Sequence, residues 1–183
     1  SLTSLKNLPK NISGNLDASE NKITSFEGGP RYVRGKLDCS NNRISSLNGM
    51  PLVSGHGSII VHSNQLTSLN GLKLPKVFDT DIFRINAGGN KITTLQGSNL
   101  HFVENIYSLQ LQVNPLKSLE GCPSIIQSFN VSYTDLESLK GGPKIVGYLY
   151  LHGVSNFKTL DGFPQRTDTL RSEEHTSELQ SHH

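Results

Sequence analysis

Few side chains in this sequence stand where they could do chemistry. Asp79 and Asp81 lie two positions apart and offer carboxylates to a hard cation. Calcium takes about six to eight oxygen ligands, and no further oxygen donors are patterned around this pair. Cys39 and Cys122 are the only cysteines, too few for a disulfide framework or a metal knuckle. The sequence has no phosphate-binding loop, no zinc spacing and no nucleophile elbow. Catalysis is therefore not expected, and neither is a metal or a cofactor. Tyr133, Tyr148, Tyr150 and His152 offer something different. A tyrosine presents a rigid ring with a polar tip, the kind of group that anchors a binding interface.

The elements that position these residues are set by a repeat. One phrase returns eight times, as in Ile23-Thr24-Ser25-Phe26-Glu27-Gly28-Gly29-Pro30 and Leu116-Lys117-Ser118-Leu119-Glu120-Gly121-Cys122-Pro123. Its anchors are Leu5, Phe26, Leu47, Leu69, Leu95, Leu119, Leu139 and Leu160, separated by 21, 21, 22, 26, 24, 20 and 21 positions. A second phrase lies between the anchors, as in Leu16-Asp17-Ala18-Ser19-Glu20-Asn21-Lys22-Ile23 and Leu37-Asp38-Cys39-Ser40-Asn41-Asn42-Arg43-Ile44. Together they read L-x-[small or apolar]-x-x-N-x-[IL]-x-x-L-x-G-x-P.

This pattern resembles the leucine-rich-repeat family over residues 2 to 164, most closely the short bacterial and phage type. It departs from the family in three ways. The first leucine of the family motif is mostly missing, the copy at Leu95 lacks its proline, and Thr134 and Ser155 replace the asparagine in later copies. The resemblance implies a β-rich solenoid, an arc with about seven short parallel strands on its concave face and little or no convex helix. Those strands fall near 16–18, 37–39, 59–61, 85–87, 109–111, 129–131 and 149–151.

Elementary physical chemistry supports that fold. Leu16 and Ala18 alternate with period two, so both point to one face of a short strand. One repeat cannot bury that face alone, and stacking does so. Asn21, Asn42, Asn64, Asn90 and Asn114 follow the strands. An asparagine amide has two donors and an acceptor and can satisfy the backbone where it bends inward, so a ladder is expected. Thr134 predicts a weaker rung. Gly then Pro closes each coil. Leu100, Val103 and Tyr107 are spaced to share one face of a helical turn within 99–107.

The concave surface is the expected binding face. Its candidate contacts are Tyr133, Tyr148, Tyr150 and His152 near the C-terminal end, with Arg84, His62, Gln110 and Gln112 along the arc. His62 and His152 occupy equivalent places several strands apart. At about 4.7–4.9 Å per strand they cannot share a metal or a proton. Cys39 takes an inward strand position as a small packed hydrophobe. The irregular segment from Leu72 to Ile85 is a second candidate, as an inserted loop.

Composition narrows the partner. Apolar residues make up 34% and charged residues 17%, and the net charge is only +2. With no basic run, nucleic acid is not expected. No stretch approaches the ~18 apolar residues of a membrane span. A protein partner is expected. The other readings are a structural or adhesive spacer of a virion or cell surface, and glycan or other ligand binding at the tyrosine-bearing coil.

Residues 1–170 are expected to form the solenoid, as a stretch of a longer array that begins inside a repeat. Residues 171–183 resemble the translated sequence of a common short-read sequencing adapter, in the run Arg171-Ser172-Glu173-Glu174-His175-Thr176-Ser177-Glu178-Leu179-Gln180-Ser181. They are expected to be irregular and outside the fold.

Overall fold

The computed structural model describes residues 1–54, 57–74 and 83–172. Asp79 and Asp81, and most of the irregular segment before Ile85, lie outside these residues. The chain is a parallel β-solenoid of about seven turns, essentially without helix. Eleven strands are present among the described residues: β1 (Asn11–Ile12), β2 (Leu16–Asp17), β3 (Tyr32–Val33), β4 (Leu37–Asp38), β5 (Leu52–Val53), β6 (Ser58–Ile60), β7 (Arg84–Asn86), β8 (Asn105–Gln110), β9 (Ile125–Asn130), β10 (Ile145–Tyr150) and β11 (Arg166–Arg171).

Eight of them form one sheet in the order β2-β4-β6-β7-β8-β9-β10-β11, so each strand pairs with that of the next coil. Seven stand where the repeat predicts them. The eighth, β11, is an addition to that expectation. Its sequence, Arg-Thr-Asp-Thr-Leu-Arg, has one large apolar residue and gives no alternation to read. It pairs in register with β10, Leu149 facing Leu170 and Tyr150 facing Arg171. The strand therefore includes the first residue of the adapter-like segment.

The second sheet, β1-β3-β5, was not legible, because two-residue strands carry no periodicity. Its origin is extra length between the inward residues: one residue in the first two coils and three in the third, where Val53 and Ile59 are six apart. In the early coils the inward residues Ile12 and Leu16, or Val33 and Leu37, are four apart. In the later coils Ile106 and Leu109, Ile126 and Phe129, and Val146 and Leu149 are three apart. Three fits a single six-residue strand with a bend. Four forces a corner, and the strand divides in two. Gly35 stands at such a corner, donating its N–H to Gly14 O at 3.0 Å. A Cβ there would collide with the Asn15 side chain, which only glycine avoids.

The interior is a stack of apolar rows. Leu16, Leu37, Ile59, Ile85, Leu109, Phe129 and Leu149 form one, and Ala18, Cys39, Val61, Ala87, Leu111, Val131 and Leu151 the next. All are buried, and each large side chain contributes about 1.5–3 kcal/mol. The anchors Phe26, Leu47, Leu69, Leu95 and Leu119 close the far side at 0–1% exposure, but Leu160 in the last coil is 38% exposed. The helical turn is limited to a 3₁₀ segment, Leu100–Phe102, ended by extended Val103. Leu100 and Val103 are buried, whereas Tyr107 belongs to β8, so the three do not share one helical face. Among the described residues no helix is long and apolar enough to cross a membrane.

Candidate functional site

The site is held in place by side-chain amides that tie each coil to the one before it. Asn64 Oδ1 accepts the Ile44 N–H at 2.9 Å. Its Nδ2 donates to Cys39 O at 2.9 Å, Val61 O at 3.1 Å and His62 O at 3.2 Å. Asn42, Asn90 and Asn114 repeat this set, accepting from Ile23, Leu66 and Ile92 at 2.9, 3.0 and 2.9 Å. Asn21 accepts from Leu2 N at 2.6 Å and donates to Ala18 O and Ser19 O. Thr134 has one hydroxyl hydrogen and gives it to Val131 O at 2.7 Å.

A hydroxyl recurs as well, outside the positions that the repeat phrases single out. Ser4, Ser46, Ser68, Thr94, Ser118, Ser138 and Thr159 each accept the N–H two residues on. Its signal was the small hydroxyl residue before every anchor.

Three rows of side chains point outward from the large sheet. The first runs Ser58, Arg84, Ser108, Ser128, Tyr148 and Thr169, in the register of β6 to β11. The second runs Asp17, Asp38, Ile60, Asn86, Gln110, Asn130, Tyr150 and Arg171. The third lies just past the strand ends, and includes Ser40, His62, Gly88, Gln112, Ser132 and His152.

The structure brings some of the expected contacts together and keeps others apart. Tyr148, Tyr150 and His152 follow one another along β10 and beyond it, the Tyr150 and His152 rings 6.5 Å apart. Tyr133 stands one coil back, its N–H donating to His152 O at 2.7 Å. Its ring covers Gly153, where a Cβ would collide with it. Gln110 and Gln112 belong to the coil of β8, two strands from β10. Gln110 Nε2 donates to Ser108 Oγ at 3.0 Å. Gln112 lies across Gly88, and its Oε1 is buried without a hydrogen-bond partner among the described residues. Arg84 and His62 are three and four strands from β10, which is roughly 14 and 19 Å at the usual strand spacing. They are not part of the tyrosine cluster.

Arg171 and Tyr107 join the face unforeseen. The Arg171 guanidinium stands 5.8 Å from the Tyr150 ring centre, and Arg84 stands 4.6 Å from that of Tyr107. Such pairs are attractive through the ring quadrupole.

Asp17 Oδ1 accepts from Ser19 Oγ at 2.7 Å and Ser19 N at 3.0 Å, which holds its carboxyl below the usual value. For Asp38, burial opposes ionisation, but Ser40 and the Lys36 ammonium at 3.0 Å outweigh it and lower the pKa. Burial pushes the Cys39 thiol up to about 12, and it raises Cys122 as well. Neither thiol has nucleophilic character near neutrality.

Comparison with known proteins finds no matching family model, no matching curated protein and no matching solved structure. The site is thus described by its own residues.

At the rim, Glu20, Asn41, Ser63, Val113 and Tyr133 all have φ between 53° and 57°, in the left-handed region. Gly89 and Gly153 fill the same place in their coils. Val113 is the outlier, because a β-branched residue fits that region poorly. It is 54% exposed beside Tyr133 at 60%. Among the described residues no three His, Cys, Asp or Glu side chains gather to hold a metal ion.

Proposed function

We propose that this chain is a leucine-rich-repeat recognition module of the bacterial or phage type, which binds a protein partner on the solvent face of its large sheet. One observation carries the reading. Strands β8, β9 and β10 contain no Asp, Glu, Lys or Arg, and their outward side chains are tyrosine, serine, glutamine and asparagine, with Ile145 exposed at the start of β10. That is the composition of protein-binding surfaces built from rigid aromatic rings and adaptable hydrogen-bonding groups. Tyr148 and Tyr150 are the anchors, with Tyr133 and His152 at the rim and Gln110 and Gln112 as polar contacts. Arg84 and His62 would be reached only by a partner that spans several coils.

The leucine-rich-repeat assignment rests on the asparagine and leucine spacing and on the ladder geometry. The same reading makes the chain a binding protein and not an enzyme.

The test is selection of peptide or protein ligands on the full chain from a displayed library, with a Tyr148→Ala/Tyr150→Ala variant in parallel. The proposal expects ligands that hold the parent and lose the variant. Ligands that bind both equally would sink it.

A further inference from the structure

The charged side chains in the outward rows share a property that goes beyond composition. Asp17 is held by Ser19, and Asp38 by Ser40 and Lys36. Arg84 lies over Tyr107, and Arg171 over Tyr150. Further along β11, Arg166 pairs with Asp168 at 3.4 Å. Every charge in these rows thus has an attractive partner within the chain, and β8 to β10 add none. The groove among Lys117, Glu120, Glu137 and Lys140 differs, mixing both signs, with Lys158 paired to Glu137 at 2.8 Å.

We propose that the face over β8 to β10 recognises an uncharged, extended peptide segment of its partner, without ion pairs. This rests on the recognition reading above and names the chemistry of the ligand. Burying a partner's charge over β9, two strands from both Arg84 and Arg171, would leave it without an adjacent opposite charge, which costs several kcal/mol and selects against charged segments there. An uncharged segment presents backbone N–H and C=O groups. Gln110 and Asn130 can pair with both kinds, because a side-chain amide both donates and accepts. Gln112, just past the end of β8, has its Oε1 buried against Gly88 without a hydrogen-bond partner among the described residues. Tyr148 and Tyr150 supply the apolar contact.

Peptides of about twelve residues, selected on the full chain, provide the probe. Their affinities are measured in about 0.05 M and about 0.5 M NaCl, a range over which ion-pair binding is strongly screened. The inference expects peptides that lose the Tyr148→Ala/Tyr150→Ala variant, carry no essential charge and change affinity by less than about twofold. A second variant, Asn130→Asp, keeps the acceptor that Ser132 N uses at 3.0 Å and replaces the amide donor with a charge. It should weaken the same peptides about tenfold. Peptides that need this face but depend on Lys, Arg, Asp or Glu, and weaken tenfold or more in salt, would overturn the inference and leave the recognition reading intact. Peptides indifferent to the tyrosines would overturn both. Binding of neutral oligosaccharides such as chitohexaose or maltohexaose, with no peptide selected, would overturn the peptide assignment.

Discussion

Asn90 Oδ1 accepts the N–H of Leu66, 24 residues earlier, at 3.0 Å, and so joins two coils through one side chain. The same amide donates to Val61 O, Ala87 O and Gly88 O at 3.0, 3.0 and 3.2 Å. Asn90→Ala removes all four bonds in a buried place. Leaving such groups unpaired costs about 1–3 kcal/mol, and more than one is left here, so a loss of about 2–4 kcal/mol is expected. Denaturant unfolding measures it. A change below about 0.5 kcal/mol would mean that the ladder does not hold the coils.

Thr134 gives the opposite test. It sits in the ladder but can donate only once, to Val131 O. Thr134→Asn restores the amide and should stabilise the protein by about 1 kcal/mol. The neighbouring C-terminal coils should also slow their amide exchange. An unchanged or lower melting temperature would show that the space after Asn114 cannot take the larger side chain.

Val113 has φ 57° and is more than half exposed. Glycine at this place, as found at Gly89 and Gly153, relieves the strain. Val113→Gly is expected to stabilise by about 1 kcal/mol, since left-handed backbone costs an L-residue roughly 1–2 kcal/mol. Thermal unfolding reads the result. If Val113 also meets the partner, the variant binds less tightly despite its greater stability.

Asp38 predicts a pH dependence. Its pKa is lowered in the folded state, so its contribution is present above the unfolded value near 3.8 and is lost as pH falls through the folded value. Asp38→Asn keeps the acceptor for Ser40 and removes the titration. Its melting temperature should vary less than that of the parent below about pH 4. Parallel curves in that window would contradict the assignment.

The repeat was readable because Leu16, Ala18 and Asn21 recur with their spacing intact through five coils. The second sheet was not, because extra length before the main strand makes it, one residue near Gly14 and Gly35 and more after Val53, and such small differences look like drift. The polar strand β11 escaped for a different reason. Its pairing is imposed by β10 and not by its own alternation. The rim position was hidden as well. Glu20, Asn41, Ser63, Val113 and Tyr133 share a backbone conformation but no side-chain type. In the candidate site, Tyr148, Tyr150 and His152 were adjacent by strand alternation alone. The Arg171 and Tyr107 contacts required the register between strands.

Site-specific photo-crosslinking tests the central claim most directly. A photoreactive p-benzoylphenylalanine is placed at Ser128, outward on β9 in the middle of the uncharged face, or at Lys117, exposed in the return segment of the β8 coil. A ligand selected on the full chain should crosslink from Ser128 and not from Lys117. Crosslinking from Lys117 alone would place recognition on the return segments and contradict the account.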